Sequence, residues 1–151
     1  MLRTVCDPVV EIDEGVRALV QDLLDTVDME GRAGLASTQI GHTLRVFSLH
    51  IDGELSYVIN PEIVALEGEP VLTGEGCLSV PDLWFDVARY PRATVRGIDL
   101  DGHPVEIAGD GLLAQALQHE CDHLDGKLYL SRLDRDTRGE AMRQIRTSSW
   151  F

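Results

Sequence analysis

Residues 111 to 124, GLLAQALQHECDHL, constrain the fold more than any other stretch of the chain. Asp110 precedes the run and Gly126 follows it, which are helix-opening and helix-closing residue types. Leu112 and Ala116 share the face of His119, and Leu113, Leu117 and Leu124 occupy neighbouring ones, so the helix is apolar almost all round and is expected to be buried. A buried helix that also carries His119, Glu120 and His123 is costly unless something satisfies them. The fold must therefore wrap other elements around this helix and supply its polar residues with a partner.

A metal ion is a partner of the right kind. His119 and His123 are four residues apart and project from one helical face, so two imidazoles can reach a single ion. Glu120 stands beside the first histidine without having to ligate, and from there it can take a proton from water activated at the ion. A catalytic site of the zinc type needs a third protein donor. Cys77, between flexible positions in GEGCLSVP, is the best candidate. Cys121 competes, but it lies about 200° around the helix from either histidine and is expected to face the core. Cys6 has no polar company and reads as structural.

The rest of the chain supplies the surroundings. Val16, Leu19, Val20, Leu23, Leu24 and Val27 mark one helical face, with Asp13 as N-cap and Gly31 as the stop. Strand-like runs follow at LRVFSLH, at SYVIN and around Ile63 to Leu72, with Asn60-Pro61 expected to break the series. ATVRGIDL and HPVEIAG flank Asp101-Gly102, a tight hairpin. The expected class is α+β, with mixed or antiparallel sheets packed around the buried helix in one domain spanning 1–151. The tail, 131–151, is expected to form a separate, weaker helix that frays.

Composition excludes several functions. With 26 acidic against 13 basic residues, a net charge of -13 argues against bulk nucleic-acid binding. No stretch approaches the roughly 20 apolar residues of a membrane span, and no secretion signal is evident, so a cytoplasmic protein is expected. Three cysteines without such a signal do not suggest a disulfide framework.

Taken together and in order, RAGLASTQ at 32–39, EGCLS at 75–79 and QHECDHLDG at 118–126 resemble the three motifs of the peptide deformylases, nearly end to end with the chain. The resemblance implies a metal-dependent hydrolase that removes the N-formyl group from the N-terminal formylmethionine of nascent polypeptides and releases formate. It implies Cys77, His119 and His123 as ligands and Glu120 as general base and acid. Gln39 and the backbone N–H of Leu78 become the oxyanion hole. One divalent ion per chain is implied, Fe(II) favoured, with Zn(II), Ni(II) or Co(II) as alternatives. Two rival readings stay open: a non-catalytic deformylase-like peptide-binding protein, and a metalloamidase with a different acyl substrate.

Leu112, Ala116 and Ala33 are expected to line an apolar pocket for a methionine side chain. Gly34 and Gly76 leave backbone open for strand-like pairing with an extended peptide. Arg92 is expected to pair with Asp122, because YPR and QHECDH match places where the family carries an Arg and an Asp, and a buried aspartate needs a cation. The chain departs from the family pattern at Arg32, where the family usually has Gly, and at Ser37, where it usually has Ala. A side chain at 32 is expected to narrow the mouth of the site or to add positive charge beside the substrate. The N-terminus resembles sequence that family members reach only after a further segment. From Ser131 to Phe151, Arg132, Arg135, Arg138, Arg143 and Arg146 outnumber three acids, so the basic tail is a candidate for docking on the ribosome.

Overall fold

The structure, a computed structural model, describes residues 3–77 and 80–147. Its first helix, α1 (Glu14–Val27), starts where Asp13 accepts a hydrogen bond from the Val16 N–H. Val16, Leu19, Val20, Leu23 and Val27 are its buried face, at the 3.6-residue spacing the sequence shows.

A five-stranded antiparallel sheet follows, in the order β1 (Gly34–Ala36), β2 (Val46–Ile51), β3 (Glu54–Glu67), β6 (Arg92–Ile98) and β7 (Pro104–Asp110). The helix anticipated from the sequence, α2 (Gly111–Leu124), lies on one face, and α1 covers the other. Strand alternation explains the sandwich. In β2, Phe47 and Leu49 turn toward Leu117, Cys121 and Leu124 of α2, while Val46 joins the α1 cluster and the Ser48 hydroxyl donates to the Leu23 carbonyl of α1. With both faces covered, VFSL is buried throughout, and so lacks the polar–apolar alternation of a half-exposed strand.

One expectation about strands needs correction. Asn60-Pro61 does not end a strand. β3 runs through it by way of a bulge, where Asn60 adopts a φ of 53° and its side-chain amide clasps the backbone of Val9 at 2.7 and 2.9 Å. A bulge is one of the few places where a strand tolerates proline. The small-residue stretch after Arg32 forms β1, whose three residues pair with β2, and a 3-10 turn at Ser37–Ile40.

A two-stranded ribbon, β4 (Val71–Cys77) and β5 (Val80–Arg89), stands apart from the main sheet. Its inner face, with Phe85 and Val87, packs on Tyr129, Leu130 and Leu133 and on the last helix, α3 (Arg135–Thr147), through Ala141 and Ile145. The tail through Thr147 is thus a helix docked on the ribbon. Its two buried positions are four residues apart, enough for one apolar stripe on an otherwise charged helix.

Candidate active site

From Ala114 to Leu124, every residue of α2 except half-buried Gln115 is buried, including Gln118, His119, Glu120, Asp122 and His123. Each polar group can therefore be asked for its partner. The Gln118 amide accepts from the Tyr90 N–H at 3.0 Å and donates to the Tyr90 carbonyl at 2.9 Å, tying the helix to the corner after β5. The His119 Nδ1–H donates to Glu75 Oε2 at 3.0 Å. Glu75 receives two further bonds from Arg89, from Nε at 2.9 Å and from Nη2 at 2.6 Å. The third arm of Arg89 reaches Asp122 at 2.8 Å, and Arg132 grips the same carboxylate with two bonds of 2.7 and 2.6 Å. His119, Glu75, Arg89, Asp122 and Arg132 thus form one chain of charge-assisted hydrogen bonds linking β4, β5 and α2.

This network corrects the expected partner of Asp122. Arg92 lies in the next strand, 44% exposed, and pairs with Glu67 and Asp110 instead. The residue that does the work is Arg89. Period-two alternation in β5 puts Phe85, Val87 and Arg89 on the inner face and Trp84, Asp86 and Ala88 on the outer, and that pattern was available in the sequence. Glu75 was also within view, two residues before Cys77, in a motif whose Gly76, Cys77 and Leu78 carry the expectations above but whose acid does not.

Three buried side-chain atoms have no hydrogen-bond partner among the described residues: Thr38 Oγ1 and, at this site, Glu120 Oε1 and His123 Nδ1. Beside them, Cys77 Sγ lies 3.3 Å from His123 Nε2, and the ligand atoms of Cys77, His119 and His123 all fall within 4.8 Å of one another. Tetrahedral bonds of about 2.0 to 2.3 Å need donors separated by roughly 3.5 Å, so a thiolate and two imidazoles so spaced fit a divalent ion. The second histidine stands edge-on to the first, with ring centroids 4.8 Å apart. Cys121 faces away into the core with Phe47 and Leu124, and burial pushes its thiol up to about 12. Cys6 is buried in the same cluster.

The electrostatics divide the two histidines. Burial and the charge of His119 hold His123 down at about 3, in the neutral form a ligand requires. Burial also acts to lower His119, but Glu120, Cys77 and Glu75 together raise it well above an ordinary histidine. The same surroundings favour any positive charge at its Nε2, whether a proton or a metal cation. Burial pushes the Glu120 carboxyl up to about 7 against the pull of His119.

A cavity of about 560 Å³ opens in front of these groups. Ala33, Gly34, Gly76, Leu112 and Ala116 all line it, as do Gln39, Trp84 and Gln115. Leu112 sits at its exposed rim, 54% accessible. Gly34 is where it is because nothing larger fits: a Cβ there would lie 2.6 Å from Glu120 Oε2. Gly76 is likewise covered by the Trp84 indole. The Gln39 side chain is fixed by the Ala36 N–H, which donates to Oε1 at 2.9 Å, leaving Nε2 directed at Cys77 Sγ, 3.8 Å away. Leu78 lies outside the described residues.

Comparison with known proteins finds a consistent likeness. The family profile described as polypeptide deformylase matches residues 1–139. A peptide deformylase of Parafrankia sp. is 44% identical over 99% of this chain and 82% of its own length. Peptide deformylase 1 of Corynebacterium efficiens is 44% identical over 100% and 92% respectively. Among solved structures, a peptide deformylase from Legionella pneumophila superposes with a TM-score of 0.88 at 41% identity, covering 96% of this chain and 87% of that one. One from Synechococcus elongatus in complex with actinonin gives 0.88 at 32% identity, covering 99% and 82%.

Proposed function

The chain belongs to the polypeptide deformylase family, and from that membership together with the geometry around α2 we infer how its residues divide the work of removing an N-terminal formyl group. As a deformylase it is a metal-dependent hydrolase that acts on formylated polypeptides and releases formate. Cys77, His119 and His123 hold the ion. The observation that carries this reading is the convergence of three donors beside an unpartnered, buried Glu120 oxygen. When bound, the ion supplies Lewis acidity that lowers the pKa of water toward neutrality.

Glu120 is the proton carrier. A carboxyl held near 7 can take a proton from attacking water at neutral pH and deliver it to the departing peptide nitrogen. As the formyl oxygen gains charge, the Gln39 Nε2 donors meet it, together with the Leu78 N–H that the family motif implies. Glu75 fixes the tautomer of His119, so that Nε2 remains the ligand atom, and Arg89 keeps Glu75 ionised.

The cleft suits an extended peptide. β1 is an edge strand of the main sheet, β4 has a partner on one side only, and residues of both line the cavity. A formylated peptide lying between Gly34 and Gly76 would pair with both edges, its methionine side chain against Ala33, Leu112 and Ala116. No described helix is long and apolar enough to cross a membrane. Nascent chains place this activity in the cytoplasm. Docking on the ribosome would rest on Arg135, Arg138 and Arg146, since Arg132 is committed to Asp122 and Arg143 pairs with Glu140.

Fe(II) is the proposed ion, a thiolate with two imidazoles suiting it as well as Zn(II), Ni(II) or Co(II). Metal analysis of protein purified without oxygen should find one ion per chain, and formyl-Met-Ala-Ser should release formate. Glu120→Ala should abolish turnover while keeping the ion. An acetyl-Met control distinguishes a metalloamidase of other specificity. No formate release with any of the four metals would refute the reading in favour of a peptide-binding relative.

A further inference from the structure

The cleft has an unbalanced charge at its mouth. Besides His119, three acidic or basic side chains line it: Arg32, Glu75 and Glu120. Glu75 and Glu120 are 2% and 3% exposed, and Glu75 is already engaged by Arg89 and His119. Arg32 is only half-buried and is the one of the three in contact with solvent. Its Nη1 donates to the Thr26 carbonyl in the last turn of α1, where the carbonyl end of a helix favours a cation. That bond uses one of five guanidinium donors and leaves the others available. Among the described residues no carboxylate pairs with Arg32, although the chain carries 26 acids against 13 bases. An arginine at a cleft without an acid has its electrostatic partner still to come.

Its position indicates where that partner would be. Gly34, which touches Glu120, is two residues further on, at most about 7 Å along an extended chain. A peptide whose formyl group lies at Glu120 and whose backbone follows residues 32 to 34 would carry its second or third side chain past the guanidinium. On the deformylase reading above, on which this inference rests, we propose that Arg32 is a specificity-determining residue that selects formylated peptides with an acidic side chain at the second or third position.

The test uses C-terminally amidated peptides, so that no terminal carboxylate competes. Formyl-Met-Xaa-Ala-amide and formyl-Met-Ala-Xaa-amide, with Xaa as Glu, Gln or Lys, are compared by kcat/KM on one metal-reconstituted preparation. Ratios within a preparation cancel differences in metal loading and in overall activity. Attraction of Glu and repulsion of Lys combine to a Glu-over-Lys ratio of roughly fivefold at one of the two positions, with Gln between. The ratio should shrink toward one at high salt. Arg32→Lys should keep the preference, Arg32→Gly should abolish it and Arg32→Glu should reverse it; a purely structural role for Arg32 would not invert a charge preference. A wild-type ratio near one at both positions, or one that persists in Arg32→Glu, overturns the proposal while leaving the deformylase reading intact. No turnover of any peptide overturns both.

Discussion

Replacing Gly34 with alanine separates catalytic placement from folding. The added Cβ would stand 2.6 Å from Glu120 Oε2 and 2.9 Å from both Cδ and Cγ, where ordinary contact begins at 3.4 Å. The carboxyl must therefore retreat by close to 1 Å, out of the position it holds beside the three donor atoms. A misplacement of that size at a proton carrier costs on the order of 100-fold in rate, or about 2.7 kcal/mol of transition-state stabilisation. Stability should change much less. Overfilling costs about 1 to 3 kcal/mol, and about 0.5 to 1 kcal/mol is recovered because Gly34 is not in the left-handed region and alanine restricts the unfolded chain. None of the three ligands is touched, so metal stoichiometry should be unchanged. Formate release gives kcat, metal analysis gives occupancy and calorimetry gives Tm. A Gly34→Ala protein with full metal and kcat within threefold of wild type would refute the idea that this glycine sets the position of Glu120.

Arg89→Ala removes the cation shared by two buried carboxylates, leaving Asp122 to Arg132 and Glu75 to His119, and should cost about 3 to 5 kcal/mol by denaturant unfolding, whereas Arg92→Ala, at an exposed pair, should cost no more than about 1 kcal/mol; the opposite order would return Asp122 to Arg92. Burial alone would raise Glu75, but hydrogen bonds from His119 and Arg89 lower it from 4.5 to about 2. A depressed carboxyl stabilises the fold above its unfolded pKa, so about 3 kcal/mol present above pH 4.5 should be lost as pH falls toward 2, and a Glu75→Gln protein with the same acid limb would contradict this. Ile145→Ala should destabilise by about 2 to 4 kcal/mol because α3 is docked, and a loss below about 0.5 kcal/mol would mean a frayed tail.

What could be read from the sequence was what depends on local spacing. Four-residue separation on a helix brings His119 and His123 together, and the angle to Cys121 turns that thiol into the core. The Asp101-Gly102 turn likewise defines its own hairpin between β6 and β7. What depends on long-range pairing was harder. Arg89 meets Asp122 across 33 positions and Glu75 meets His119 across 44, and neither pair follows from local pattern. Arg92 and Arg89 carry the same charge three residues apart, but only Arg89 shares the inner face of β5 with Val87. Pro61 suggested a strand end because proline removes a ladder bond; the clasp between Asn60 and Val9, 51 positions away, holds the chain in a bulge instead.

The Arg89 bridge also bears on how the ion comes and goes. Cys77 is carried by the ribbon and the two histidines by α2, so closing a metal site between them ordinarily means restraining two independently moving parts. Here Glu75, two residues from Cys77, and Asp122, one residue from His123, are already joined through one guanidinium by bonds that do not pass through the ion. The donors are kept near one another by the protein's own charges, so little ordering entropy is left for metal binding to overcome. Exchange of one divalent ion for another then becomes a local event at three donor atoms, with the peptide cleft keeping its shape throughout.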